Sequence, residues 1–178
     1  GIGGIILTKE IAQTLTPLIA GGTGSFSHLE TIPTHMPDAF EAGTLNLPGI
    51  IGLNEGLTYI ESVGMKNIHN HELTLTKTFL EGLRSITGIN IIGKQDTQDR
   101  TAVVSITIDG MDPASIAYEL ESTYHIMTRV GLHCAPRSHQ TLGTYPEGTV
   151  RFSFGYANTH EDVEATLSAL HTILKNTK

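Results

Sequence analysis

The pattern of apolar and polar residues changes its period near residue 88. Before this point, apolar side chains recur three and four positions apart, which predicts two successive helices separated by a glycine. The positions that define the two helix faces are Ile50, Leu53, Leu57 and Ile60 for the first, and Ile68, Leu75, Phe79 and Leu83 for the second. After Gly88, apolar and polar residues alternate instead, which favours strands.

The second half of the chain is predicted to form an α+β domain. Strands are predicted over 89–93, 101–108, 126–130 and 149–154. A helix is predicted to follow the capping pair Asp112 and Pro113, and another to start near Thr159 and bury Val163, Leu167, Leu170 and Leu174. The order strand–strand–helix–strand–loop–strand–helix indicates a mainly antiparallel sheet with helices on one face.

The first fifty residues show little periodicity. The opening "GIGGIIL" has no initiator Met and predicts a buried strand over 4–8, followed by a helix over 8–18. Residues 20–49 are rich in Gly, Pro, Ser and Thr, and a loop of this length in a compact domain is usually functional or disordered. We expect the chain to be the C-terminal piece of a longer protein.

The amino-acid composition favours some classes of protein and argues against others. The 178 residues are 39% hydrophobic and 16% charged, as in a soluble globular domain. The net charge of −7, without a cluster of Lys or Arg, argues against binding to nucleic acid. No apolar run approaches a membrane span of about 18 residues. A single cysteine cannot form a disulfide framework, so we expect a reducing cytoplasm.

That single cysteine, Cys134, lies in the segment "RVGLHCAPRSH" (129–139), where glycine and proline predict a turn. Positively charged neighbours favour the thiolate, so this position is typical of a nucleophile. Two alternatives remain open. Cysteine is often buried and inert in a core, and His133, Cys134 and His139, or His69 and His71, could bind zinc, although the ligand spacing is poor.

Two further features are candidates for binding. In the predicted strand 149–154, Val150, Phe152 and Phe154 share one face, so Arg151 points to the other. Arg151 could be an ordinary solvated side chain or a fork-shaped donor to a carboxylate or phosphate. The glycine-rich "GGTGS" (21–25) could be a flexible connector or offer backbone N–H groups to a phosphate.

Taken together, the motifs resemble one family. "FEAGTLN" (40–46), "RVGLHCAP" (129–136) and "VRFSFGYANTHEDVE" (150–164) occur in the order and approximate spacing of the class V aminotransferases. The branch that they resemble contains the cysteine desulfurases and selenocysteine lyases. The likeness extends over essentially all of the chain. It implies the C-terminal half of a pyridoxal 5′-phosphate enzyme, with residues 1–48 ending the large domain and residues 49–178 forming the small one.

The resemblance also implies roles for particular residues. Cys134 matches the nucleophile that takes sulfur from L-cysteine, or selenium from L-selenocysteine. In the cysteine reaction, alanine leaves and a persulfide remains on Cys134, from which the sulfur passes to an acceptor protein. Arg151 matches the residue that binds the substrate carboxylate, and Arg129 and His133 match positions in the same pocket. Thr44 matches a residue that reaches the cofactor phosphate across a homodimer interface. None of the six lysines lies in the context of the family's Schiff-base lysine.

Three functions therefore remain open at this stage. The first is cysteine desulfuration or the related selenocysteine lyase reaction. The second is another reaction on the same fold, such as transamination or epimerisation, in which Cys134 is incidental. The third is a fragment without catalysis that dimerises or accepts sulfur.

Overall fold

The computed structural model describes residues 1–26 and 28–176, which form two compact units, Gly1–Val63 and Gly64–Lys178. The elements in chain order are α1 (Lys9–Ala12), α2 (Leu47–Val63), α3 (Met65–Arg84), β1 (Ile89–Ile92), β2 (Val103–Ile108), α4 (Pro113–Tyr124), β3 (Arg129–Gly131), α5 (Pro136–Leu142), β4 (Thr149–Ser153) and α6 (His160–Asn176). None of the described helices is long and apolar enough to cross a membrane.

The first unit has little regular structure before α2. The strand predicted over 4–8 is wrong, because these residues form no strand, and the helix predicted over 8–18 is limited to the four residues of α1. An extended run pairs only if a neighbouring strand accepts its hydrogen bonds, and the described residues of the first unit contain no strand. The prediction that residues 20–49 lack periodic structure agrees with the described residues up to the start of α2.

Helix α2 confirms the predicted helix, and its apolar face is largely exposed. Asn46 caps its start, because the Asn46 side chain accepts a hydrogen bond of 3.1 Å from the Gly49 N–H. Leu53 and Leu57, two positions of the predicted helix face, are 47% and 53% exposed, and no residue of α2 is buried. In the part of the first unit that the structure describes, the other helix has four residues, and this part provides no second layer to cover α2.

The second unit is built on a four-stranded antiparallel sheet. The strand order is β1-β2-β4-β3, so β4 lies between β2 and the edge strand β3. Alternate residues of β2 are buried, as its alternating sequence predicts. The mainly antiparallel α+β class expected from the sequence is therefore confirmed.

Helices α3, α4 and α6 cover one face of this sheet and share one core, with α6 contacting both α3 and α4. Aromatic side chains connect β4 to this layer. The ring centroid of Phe79 in α3 lies 5.0 Å from that of Phe152 in β4 and 5.1 Å from that of Phe154, which directly follows β4. The predicted helix starts are also present. Asp112 caps the start of α4. At the start of α6, Thr159 and Asp162 form a reciprocal capping box, in which the side chain of each accepts a hydrogen bond from the backbone N–H of the other. Burying Phe152 on the helical side leaves Arg151 on the opposite face of the sheet.

Two details of the second unit differ from the sequence prediction. The strand expected over 126–130 is only Arg129–Gly131, because His125 ends α4 in a left-handed conformation and the next residues serve as the connection. The segment expected to be a loop between β3 and β4 contains the helix α5. The signals that bracket this helix are Pro136 at its first turn and Gly143 at its left-handed C-terminus.

Candidate active site

Arg151 and Arg129 face each other across neighbouring strands. In the antiparallel register, Arg151 of β4 pairs with Arg129 of β3 on one side and with Ser105 of β2 on the other. Directly opposed like charges destabilise a sheet unless an anion compensates for them. Among residues 1–26 and 28–176, the ion pairs are His35–Asp38 and Lys77–Glu81, so neither arginine has an acidic partner.

Several polar atoms near these arginines are buried without a hydrogen-bond partner. They are the Nε of Arg151, the Nε2 of His133 and the hydroxyl oxygens of Thr128 and Thr149. Buried polar groups are nearly always paired, since an unpaired one costs about 1–3 kcal/mol. Such atoms are therefore the ones that a bound ligand or ordered water would satisfy.

Cys134 lies in a tight turn directly after β3. His133 and Cys134 both have positive φ angles, 51° and 59°, and the Ala135 N–H closes the turn with a 2.8 Å bond to the Leu132 carbonyl. For residues other than glycine, a left-handed conformation costs about 1–2 kcal/mol each. The thiol is exposed, so the alternative of a buried, inert core cysteine is wrong.

The loop that carries Cys134 is narrow at its base. A Cβ at Gly148 would lie 2.6 Å from the Cα of Gly131, and closer still to the Gly131 carbonyl. The two glycines have φ angles of 82° and 96°. Only glycine allows both this backbone conformation and this approach, so the pair fixes the points where the chain leaves β3 and enters β4. We call this glycine pair the neck of the Cys134 loop.

His133 is half-buried beside the two arginines. Burial lowers its pKa below the usual 6.5, and coulombic interactions with Arg151, His139 and Arg129 lower this pKa further. A hydrogen bond to the backbone of Arg129 acts in the opposite direction without outweighing them. The imidazole of His133 is consequently neutral near neutral pH.

Sequence reasoning missed the helix α5 and the side chain that fixes it. His139 is 6% exposed, and its ring lies 5.7 Å from the ring of His133. The Nδ1 of His139 lies 2.7 Å from the hydroxyl of Thr144, which is also buried. The bracketing Pro136 and Gly143 could have revealed the helix, but no periodicity in seven residues marks one histidine as buried.

Thr44 belongs to the first unit, whereas the other four predicted site residues belong to the second. Thr44 is exposed and follows Gly43, whose N–H donates a 2.9 Å hydrogen bond to the Gly21 carbonyl. A Cβ on Gly22 would lie 3.0 Å from the Cα of Gly43. The "GGTGS" segment and the "FEAGTLN" segment are thus in backbone contact, which fixes the position of Thr44 within its unit.

Comparison with known proteins identifies the family. Residues 1–166 match the sequence model described as aminotransferase class-V. The chain belongs to this family. Since the match spans both units, the resemblance drawn from the three motifs is confirmed.

Two relatives in this family match nearly the whole length of this chain. The chain is 33% identical over 176 residues to a probable cysteine desulfurase of Methanothermobacter thermautotrophicus, covering 97% of this chain and 44% of the relative. It is 35% identical over 179 residues to a probable cysteine desulfurase of Pyrococcus abyssi, covering 99% and 43%.

A solved structure shows the same fold. The apo cysteine desulfurase from Thermococcus onnurineus NA1 superimposes with a TM-score of 0.82 at 35% identity, over 94% of this chain and 42% of that one. The chain therefore spans less than half of the length of these relatives.

Proposed function

We propose that this chain is the part of a pyridoxal 5′-phosphate-dependent cysteine desulfurase that binds the substrate carboxylate and receives its sulfur. The observation that carries the proposal is the strained turn at His133 and Cys134, where an exposed thiol directly follows a histidine that senses the charges of two arginines without acidic partners. Strained backbone persists at sites where geometry is needed for function. The names of the relatives support the same reaction.

In the proposed reaction, the thiolate of Cys134 attacks the sulfur of bound L-cysteine. The carbon–sulfur bond breaks, the sulfur remains on Cys134 as a persulfide, and the carbon skeleton leaves as alanine after taking up a proton. Pyridoxal phosphate, when bound, supplies the electron sink that labilises this bond. The exposure of Cys134 suits the second half-reaction, because an acceptor thiol must then reach the outer sulfur of the persulfide.

Arg151 is proposed to bind the substrate carboxylate. Its position in β4 is set by neighbours that pack into the core, and its unpartnered Nε provides a buried donor beside the register partner Arg129. A guanidinium can bind a carboxylate through two parallel hydrogen bonds, which fixes orientation as well as charge. A neutral His133 completes this pocket without adding a third positive charge.

Thr44 is proposed to contact the cofactor phosphate. Its exposed hydroxyl and the contacting backbone of Gly22 and Gly43 fit such a role, since a side chain at Gly22 would crowd the turn. We propose that the Schiff-base lysine lies outside this chain, because none of Lys9, Lys66, Lys77, Lys94, Lys175 and Lys178 has the expected sequence context. A homodimer, an acceptor protein and a cytoplasmic location remain part of the proposal.

The decisive experiment places this chain in a protein that also carries the Schiff-base lysine. Given L-cysteine without a reductant, mass spectrometry should find the mass of one sulfur atom, about 32 Da, added to the peptide with Cys134. Cys134→Ala should abolish sulfur transfer while cofactor binding survives. If the alanine variant releases sulfide at the parent rate, Cys134 is not the nucleophile, and another class V reaction takes its place.

A further inference from the structure

One buried, ionisable side chain beside the site has no part in the proposed chemistry. His139 is the only such side chain that is buried among residues 1–26 and 28–176. It is also the only buried residue of α5, whose other six residues are exposed. His139 is therefore the one side chain through which this surface helix reaches a buried position.

An apolar anchor would fix α5 at a lower cost. Burying an imidazole is unfavourable unless its polar atoms are hydrogen-bonded, and Leu142 of the same helix is left 51% exposed. The burial of His139 is offset by a specific partner, since its Nδ1 lies 2.7 Å from the hydroxyl of the equally buried Thr144. This choice of anchor indicates a need for orientation rather than for apolar contact alone.

The pair is connected to both ends of the Cys134 loop. The His139 N–H donates to the Ala135 carbonyl at 3.3 Å, one residue beyond Cys134. Thr144 donates its N–H to the His139 carbonyl at 2.9 Å and accepts at its own carbonyl from the Gly148 N–H at 2.7 Å. A continuous set of hydrogen bonds thus runs from the turn at Cys134 to the neck of the loop.

We propose that His139 and Thr144 are positioning residues that hold His133 and the turn of Cys134 in their observed geometry. The value of this geometry for catalysis rests on the proposed sulfur transfer, but the restraint itself does not. Two successive residues other than glycine leave the left-handed conformation unless the surrounding structure holds them in it. The His139–Thr144 pair holds the turn from one side, and the neck of the loop holds it from the other.

The ionisable side chains around His133 predict how its pKa should respond when His139 is replaced. Its ring is faced by Arg151 of β4, Arg129 of β3 and His139 of α5. Replacing His139 removes one of these groups and lets the ring of His133 move, so the pKa of His133 should rise. In the protein with its Schiff-base lysine, we expect persulfide formation at Cys134 to slow about tenfold while the KM for cysteine changes little, because Arg151 remains in place.

The test uses the 178-residue chain and variants that separate orientation from burial. His139→Leu keeps an apolar anchor but removes the hydrogen bond, and Thr144→Val removes the hydroxyl at nearly constant shape. Thr144→Ser retains that hydroxyl and should restore the parent behaviour. Thr141→Val is the matched control, since Thr141 lies exposed on the same helix and its hydroxyl donates to the Arg137 carbonyl of that helix.

Two readouts follow the turn directly. The Ala135 amide hydrogen should exchange about tenfold faster in His139→Leu and Thr144→Val, as the loss of one buried hydrogen bond implies, with exchange in β4 unchanged. The NMR titration of His133 should move to higher pH in His139→Leu. If both readouts match the parent in a folded His139→Leu variant, His139 is only an apolar anchor and the proposal is wrong.

If His139→Leu does not fold, the comparison of Thr144→Val with Thr144→Ser decides the proposal. Faster exchange at Ala135 in the valine variant and parent exchange in the serine variant would support it, and equal exchange in the two would overturn it. Neither readout needs cysteine or cofactor. Failure of the positioning proposal therefore leaves the persulfide experiment at Cys134 as a separate test.

Discussion

Replacing Gly148 with alanine should open the neck of the Cys134 loop. The new Cβ would lie 2.6 Å from the Cα of Gly131, whereas real Cβ contacts essentially never fall below 3.0 Å. Backbone atoms cannot rotate away as a side chain would, so β3 and β4 must separate at this end. The φ of 82° adds strain of its own for any residue with a Cβ.

Gly143→Ala is the control that separates the two costs. Gly143 also has a positive φ, 72°, but a Cβ there would meet nothing within 4 Å. We expect Gly143→Ala to lower the free energy of unfolding by about 1–2 kcal/mol through backbone strain. Gly148→Ala should lower it by roughly 1–3 kcal/mol more, as is typical of overpacking.

Urea unfolding of the 178-residue chain, followed by circular dichroism, measures both losses, because the chain has no tryptophan to report by fluorescence. The Gly148→Ala variant should also change the rate at which iodoacetamide alkylates Cys134, whereas Gly143→Ala should alter this rate less. Equal losses of stability in the two variants would refute the idea that backbone contact at the neck restrains the loop.

Three other perturbations test separate parts of the reasoning. In a protein with the Schiff-base lysine, Arg151→Ala should lower kcat/KM for cysteine about 10- to 150-fold, the effect of losing a charge-assisted hydrogen bond, and a change below twofold would contradict its proposed role. Hydrogen bonds from Thr159 and Asn158 lower the pKa of Asp162 below 3.8. The ionised Asp162 therefore contributes to the stability of the folded chain above this pH, and the contribution is lost as the pH falls through the folded-state pKa. Unfolding midpoints should therefore show a stronger acid dependence in the parent than in Asp162→Asn. Finally, Leu53→Gln combined with Leu57→Gln should reduce the fluorescence of an apolar dye, because both side chains are exposed on α2. Met127→Gln is the control, since it replaces one exposed apolar side chain outside α2, and it should leave the fluorescence unchanged.

The sequence predicted most reliably those elements whose apolar residues meet a partner within the same unit. The alternation in β2 and the helical spacing in α3 correspond to side chains that pack into one core. The same helical spacing in α2 predicted the helix but not its environment, since no residue of α2 is buried. Periodicity reports a helix face, and whether that face is covered depends on elements elsewhere.

The candidate site was predictable in composition but not in geometry. Cys134 and Arg151 could be selected as candidates from their residue types and flanking motifs. The register that places Arg129 opposite Arg151 could not, because it depends on pairing between strands that are more than fifteen residues apart in sequence. The burial of His139 was equally hidden, since it follows from a short helix inside a segment with the composition of a loop.

These two hidden features together explain why a thiol in a loop can be held in a defined place. The strands fix where the Cys134 loop leaves and re-enters the sheet, and the Gly131–Gly148 contact makes these two points adjacent. Between them, the loop has α5, tied by His139 and Thr144, in place of a flexible connection. The left-handed turn at His133 and Cys134 lies between these two restraints. If Cys134 is the nucleophile and Arg151 binds the substrate, as proposed, this arrangement exposes the thiol to an acceptor while limiting its approach to the substrate to a few orientations, and orientation of the reacting groups is itself a source of rate.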